Sequence, residues 1–326
     1  MNSLFKFNYF GLHSFFKSND SLFIDLAKNK FKSYTKGVTH EFESRKIILD
    51  FKVVKMLPKH SILKTISNNT FISKDRLFIK HNYLTTDSLI ATKFKDNDIL
   101  SIKIFFKSTL IFNLANLLTR NLLKRQLFQN IIKLYIEQSL LWNLVTKFKL
   151  NCLHASAIEK NNKVIVFAGL NGIGKSTLAL YLTQKQGFSL FCDNYLLVEK
   201  NKAYFSPDVV RLTKKSLNWL NIKPSSLFGF NKFNLESSDI KISKQKISKI
   251  KSVYLTTRGD RWSKRKTLQK SIINKIKSFQ ISNQEEVLFA PVSQYTSENS
   301  INNAPMPNCN YFQLNLGKLT DLNYEF

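Results

Sequence analysis

The period of apolar and polar positions changes twice along the chain. Between residues 46 and 110 the runs KIILDFKVV, RLFIKHNYL, SLIATKFK and ILSIKIFF are apolar, β-branched and aromatic, and clusters of Lys, Asn, Asp and Ser separate them. Such runs predict strands. From 126 to 148 the spacing becomes helical: Leu127, Ile131, Leu134, Leu141, Trp142, Val145 and Phe148 recur at three, four and seven residues, the stripe of an amphipathic helix. From 151 onward LHASAI, a charged turn at 159–162 and the run VIVFAG predict a two-stranded hairpin. Residues 175–184 have the apolar spacing of a helix that Gly187 would end. A strand is expected at 188–192, and 196–199 and 203–205 flank a short Asn201-Lys202 turn. SVYLTT predicts a strand, 266–279 an amphipathic helix and YFQLNL a late strand. The expected fold class is α/β: a strand-rich α+β domain over 1–150 that ends in the amphipathic helix, then an α/β domain over 151–326. No internal repeat or Pro/Gly-rich linker marks the boundary.

Composition narrows the setting. With 43% hydrophobic and 22% charged residues in 326, the chain has the balance of a folded globular protein rather than a disordered one. Cys152, Cys192 and Cys309 lie far apart and form no CxxC pair, so neither a zinc site nor a disulfide framework is expected. That usage suits a reducing compartment, the cytoplasm. The N-terminal MNSLFKFNYFGLHSFFKSND has no basic region followed by an unbroken apolar core, so no export signal is expected. The most apolar region, 104–145, is interrupted by Lys107, Arg120, Lys124, Arg125, Lys133 and Glu137, which argues against a membrane span. A net charge of +28 ordinarily points to nucleic acid. Here Lys vastly outnumbers Arg and the chain is crowded with Asn, Ile, Phe and Ser, so a solvated basic surface is the better reading than a nucleic-acid groove.

The sharpest chemical signal is Gly169-Leu170-Asn171-Gly172-Ile173-Gly174-Lys175-Ser176, which matches GxxxxGK[ST] and stands between a predicted strand and a predicted helix. Glycines let consecutive backbone N–H groups turn toward phosphate oxygens, and the helix start adds further donors and partial positive charge. The motif predicts a nucleoside triphosphate bound with Mg²⁺ over 169–177, Thr177 closing the segment. Lys175 would pair with the β and γ phosphates, and Ser176 would place its hydroxyl on the metal. Asp193 ends the next strand only eighteen residues past Lys175. A carboxylate there would hold magnesium or accept a proton from an incoming hydroxyl. The sequence carries no LSGGQ-like signature, no NKxD-like base reader and no HRD or DFG element, which argues against a transport ATPase, a GTP switch and a protein kinase of the common type.

The stretches LHASAI, VIVFAGLNGIGKSTLALYL and GFSLFCDNYLLVE together resemble the catalytic core of the HPr kinase/phosphorylase family and its HPr-kinase-like relatives. Weaker similarity continues through YFSPDVVRLT, SVYLTTRGD and YFQLNLGK, so the resemblance spans about 151–318. It implies an ATP- and Mg²⁺-dependent phosphotransferase acting on a hydroxyl of a protein, peptide or small molecule. His154 would stand near the transferring phosphate. Arg211 and Arg258 stand out because arginine is scarce in this chain, and the planar guanidinium suits two-point binding of phosphate, so both are candidates to hold phosphate or an acidic group on the acceptor. The resemblance also implies homo-oligomeric assembly, since family members often form rings. One departure matters: the family has a pair of aspartates where this chain has Asp193-Asn194, and an amide cannot take up a proton. Two other readings stay open. One is a small-molecule kinase of another phosphate-loop lineage such as the adenylylsulfate kinases, whose GDN element resembles Cys192-Asp193-Asn194; the other is a non-catalytic nucleotide-sensing or nucleic-acid-binding protein.

Overall fold

Alternating aromatic and polar residues at the start of the chain form two strands, β1 (Ser3–Tyr9) and β2 (Leu12–Ser18), that pair antiparallel. They were not expected from the sequence. The computed structural model describes residues 3–10, 12–31, 46–58, 64–67, 69–73, 75–83, 86–95, 98–148, 150–205, 210–223, 233–235, 240–277, 306–317 and 326. Residues 206–209 of the YFSPDVVRLT stretch, 278–279 at the end of the expected late helix, and Lys318 lie outside them. The chain divides into two compact units, one built on Met1–Phe148 and the other on Lys149–Gln284 and Asn302–Phe326. Each unit carries its own principal sheet, and the architecture is mixed α/β. Among the described residues no helix is long and apolar enough to cross a membrane.

In the first unit, α1 (Ser21–Phe31) crosses from β2 to the parallel strand β3 (Lys46–Val53). Then come β4 (Lys64–Ser67), β5 (Thr70–Ser73), β6 (Arg76–Tyr83), β7 (Thr86–Lys95) and β8 (Asp98–Ser108). The eight strands lie in the order β1-β2-β3-β8-β7-β6-β5-β4. After α2 (Leu110–Leu118), the expected amphipathic helix starts early, as α3 (Leu122–Ile131), and runs through a π-helical turn (Ile132–Glu137) into α4 (Gln138–Phe148). A π turn places an extra residue in the helix and rotates the next turns about the axis. It lets Trp142 and Leu144 bury completely alongside Tyr135, and Glu137 is held by Lys30 at 3.1 Å. Aromatic rings fasten the helices to the sheet. Phe23 of α1 stacks on Phe51 of β3 with centroids 3.6 Å apart, and Phe128 of α3 meets Phe23, Phe51 and Phe106 edge-on.

The second unit is built on β9 (Asn151–Lys160), β10 (Lys163–Ala168), α5 (Lys175–Lys185), β11 (Ser189–Glu199), β12 (Lys202–Tyr204), β13 (Val210–Leu212) and α6 (Lys214–Leu220). Beyond these lie β14 (Phe233–Leu235), β15 (Ile247–Arg258), β16 (Ser263–Thr267), α7 (Gln269–Lys277) and β17 (Asn310–Leu316). The two short strands expected around 188–199 are one strand, β11, and β16 takes up the start of the segment expected to be helical. Seven strands run in the order β10-β9-β11-β12-β15-β17-β16, and β10 pairs also with β15, so β9, β10, β15, β12 and β11 form a closed circuit. The circuit encloses small and branched residues, Ala155, Ala157, Val164, Val166, Ala168, Ala203 and Val253, all buried. On the opposite face Ile158, Ile165, Phe167 and Leu190 pack under α5 and the β13–β14 pair.

Truncating the aromatic stack tests what holds the first unit together. Phe51 is fully buried. Phe51→Ala is expected to lower the unfolding free energy by about 3–5 kcal/mol in denaturant titration.

Candidate functional site

Between β10 and α5 the chain passes through Gly169–Gly174 with no regular structure. The bends fall where the glycines are. Gly172 has φ +77° and Gly174 φ +113°, conformations that side chains disfavour. Gly169 answers a different constraint: a Cβ there would lie 2.4 Å from Thr256 Oγ1 and 2.7 Å from the Thr256 carbonyl oxygen. Thr256 belongs to β15, parallel to β10, and its hydroxyl donates to the Ala168 carbonyl at 2.9 Å, so the loop leaves the sheet in contact with the neighbouring strand. Leu170 and Asn171 are exposed and Ile173 packs against the cluster under α5.

Gly174 stands at the N-cap of α5 and gives it no side-chain capping bond. The first N–H groups of a helix have no partner within it, so this end offers donors and partial positive charge. Lys175 is buried at 6% exposure, and its ammonium donates to the carbonyls of Gly169 at 2.8 Å and Leu170 at 2.9 Å. The lysine closes the loop on itself. Thr177, also buried, donates to Ser216 of α6 at 2.9 Å, and Ser216 is in turn within 3.1 Å of the α6 N-cap hydroxyl of Thr213. That bond is structural: it ties α5 to α6.

Ser176 and Asp193 come together. Both the Ser176 hydroxyl, at 2.7 Å, and the Ser156 hydroxyl, at 2.5 Å, donate to Oδ1 of Asp193, and the two serine oxygens are 3.5 Å apart. The carboxylate is 7% exposed and Ser156 1%. Its position results from a register shift. β11 pairs antiparallel with β9 as Leu190↔Ile158 and then Cys192↔Ala157, so Phe191 is an extra residue and both Phe191 and Cys192 point into the closed circuit. The shift sets Asp193 opposite Ser156, on the face that carries α5. In regular register Asp193 would face Ala155, whose side chain lies inside the circuit.

His154 lies two residues before Ser156, on the same face and beyond the last residue of β10, at the end of the sheet where the loop emerges. It is half-buried and pairs across the strands with Tyr195, ring centroids 6.4 Å apart. Asn194 has φ +94°, a left-handed conformation that Asn tolerates better than most residues. Arg258 is exposed at the end of β15, opposite Leu316 of β17; Leu316 lies 3.6 Å from where a Cβ on Gly174 would be. Arg211 is not drawn into this group: Val210 and Leu212 bury toward α5 and Arg211 projects from the other side of β13 to solvent. Among the described residues, no group of three or more His, Cys, Asp or Glu could hold a metal by itself.

Ser156 and Thr256 are the site residues that sequence reasoning missed. A signal existed for the first, since strand alternation puts Ser156 on the face of His154. None existed for Thr256, whose contact with Gly169 spans 87 residues.

No protein-family model and no curated protein matches the sequence. Among solved structures, the Hpr(Ser) kinase/phosphatase from Coxiella burnetii aligns with 52% of this chain and 87% of its own, at 11% identity and a TM-score of 0.27. That likeness is remote, and the functional reading rests on the geometry above.

Gly169→Ala is expected to destabilise the protein by roughly 1–3 kcal/mol, as overpacking does. Adding Thr256→Ala should restore only part of the loss, because the backbone oxygen at 2.7 Å remains. Thermal melts of the single and double variants separate the side-chain clash from the backbone one.

Proposed function

We propose that the second unit is a Mg²⁺- and ATP-dependent phosphotransferase that moves the γ-phosphate to a hydroxyl of a protein, peptide or small-molecule acceptor. The observation that carries this reading is the cluster of Ser176, Asp193 and Ser156 at the foot of a glycine loop whose sequence is GLNGIGKS. A glycine turn of purely structural use has no need of a buried carboxylate drawn against the serine after the lysine.

The backbone N–H groups of 172–176 hold the β and γ phosphates, and Lys175 exchanges the Gly169 and Leu170 carbonyls for phosphate oxygens. Ser176 and Asp193 supply oxygen donors for magnesium. The donor set fits: the Ser176 hydroxyl and the Asp193 carboxylate are hard oxygens of the kind magnesium takes, and they already meet at 2.7 Å. When bound, magnesium would offset the negative charge of the phosphates during transfer. Ser156 fixes the rotamer of Asp193 and is a positioning residue. Asp193 takes the proton of the acceptor hydroxyl while that oxygen bonds to the γ-phosphorus and the β–γ bridging oxygen leaves with ADP. His154, at the same end of the sheet, and Arg258 stabilise charge on the transferring group and the acceptor. Arg211, facing solvent on β13, serves at most the acceptor's far side.

The pair Asp193-Asn194 favours a second reading, a nucleotide sensor without turnover, because the family it resembles has a second carboxylate at the sequence position of this amide. The two are separated by incubating purified protein with Mg²⁺ and γ-labelled ATP in a cell lysate and measuring both nucleotide affinity and label transfer. Transfer that falls roughly 10²–10⁴-fold in Asp193→Asn, measured at Mg²⁺ and nucleotide concentrations that saturate the variant, supports the kinase; affinity without any transfer supports the sensor. No affinity for any nucleotide with Mg²⁺ present refutes both.

The positioning role of Ser156 has its own signature. Ser156→Ala is expected to raise the Mg²⁺ concentration needed for half-maximal binding or turnover several-fold while leaving affinity for metal-free nucleotide unchanged, and Ser156→Thr should recover part of it.

A further inference from the structure

Helix α2 in the first unit is built inside out. Leu110, Ile111, Leu114, Leu117 and Leu118 are 55–85% exposed, whereas its buried face carries Phe112 and Asn116. At about 100° per residue the five aliphatic side chains fall in one arc of roughly 120°. Nothing about the helix is loosely made. The Thr109 hydroxyl caps its first turn by accepting from Phe112 N at 3.2 Å, and Thr119 closes its last through bonds to the Ala115 carbonyl. Asn116 anchors it from beneath, donating to Asn121 Oδ1 at 2.7 Å and accepting from Lys124 N at 3.0 Å, and Phe112 packs edge-on against Phe106. The apolar face is therefore held outward by the fold. A contiguous patch of this kind on a protein surface marks an interaction site.

Charge identifies the occupant. From 99 to 136 the sequence contains no Asp or Glu, and Lys107, Arg120 and Arg125 lie beside the helix in sequence, the two arginines exposed. Lys124 is already paired with Asp20 at 2.7 Å, which leaves that carboxylate neutralised. A wholly aliphatic outward face, flanked in sequence by the exposed Arg120 and Arg125 and by no acidic residue, suits a segment lying in an anionic lipid interface. We propose that α2 is an interfacial anchor that docks this protein reversibly on an anionic phospholipid surface. Its five aliphatic residues enter the acyl boundary, and Arg120 and Arg125 meet the headgroup phosphates.

The test is flotation of the full chain with unilamellar vesicles of phosphatidylcholine alone or of phosphatidylcholine and phosphatidylglycerol in equal parts. The wild-type protein should float with the anionic vesicles at least tenfold better than with the neutral ones. Leu114→Glu with Leu117→Glu should abolish flotation, and Arg120→Gln with Arg125→Gln should reduce it severalfold and flatten its salt dependence. All four side chains are substantially exposed, and an unchanged melting temperature confirms that each variant folds. Anionic-vesicle binding that survives the glutamate pair would overturn the proposal and assign the binding to the general +28 charge. So would a wild type that stays off vesicles, or one whose self-association the glutamate pair disperses. Nucleotide binding by the second unit is a separate readout, so either proposal can fail alone.

Discussion

A carboxylate buried beside a glycine loop has to be delivered there by the strand that bears it, and in a sheet that delivery is a matter of parity. Side chains alternate between faces, so displacement by one residue exchanges the two sides of the remaining strand. The extra residue at Phe191 performs that exchange in β11. Upstream, Leu190 packs under α5; downstream, Asp193 faces the Ser156 and Ser176 hydroxyls rather than the sealed interior of the strand circuit. The local irregularity in the ladder is small beside what a lone carboxylate inside the alanine-lined interior would cost, since a buried charge without hydrogen bonds is among the most unfavourable things a fold can contain.

The loop itself is prepared in a different way. Its turns rest on Gly172 and Gly174, its departure from the sheet on the absence of a side chain at Gly169, and its closure on the Lys175 ammonium bound to two of its own carbonyls. The cation is thus already desolvated and centred before any anion arrives. Under the proposed function an incoming phosphate would replace these carbonyl partners with charged ones, and the lysine would not have to leave water first.

Much of this was legible in the residues. The period-two runs gave β6, β7 and β8, the hairpin LHASAI–VIVFAG gave β9 and β10, and the motif between strand and helix located the loop. Other parts were hidden for physical reasons. A bulge leaves two neighbouring apolar residues, Phe191 and Cys192, on one side, and in FSLFCDN that pattern is indistinguishable from an ordinary buried strand. The π turn at Ile132–Glu137 inserts into a stripe whose spacing still looks α-helical, because an added residue only changes which of several apolar neighbours turns inward. Thr256 and Gly169 meet through parallel pairing of β10 with β15, a contact that no local pattern encodes. Arg211 drew notice for its rarity in a lysine-rich chain, yet the burial of Val210 and Leu212 fixes its side of β13 and turns it outward.

The closed circuit of strands has a consequence for how the protein is made. β10 cannot complete its hydrogen bonding until β15 arrives some eighty residues later, and β17, which flanks β15, comes from near the C-terminus. Ring closure of that span carries a loop-entropy cost before any native pairing rewards it. During synthesis the strands and helices of Met1–Phe148 can collapse around their aromatic stack while the ribosome is still supplying the second unit. The half-built second unit exposes the apolar edge of β10 throughout that interval, so chaperone demand should concentrate there.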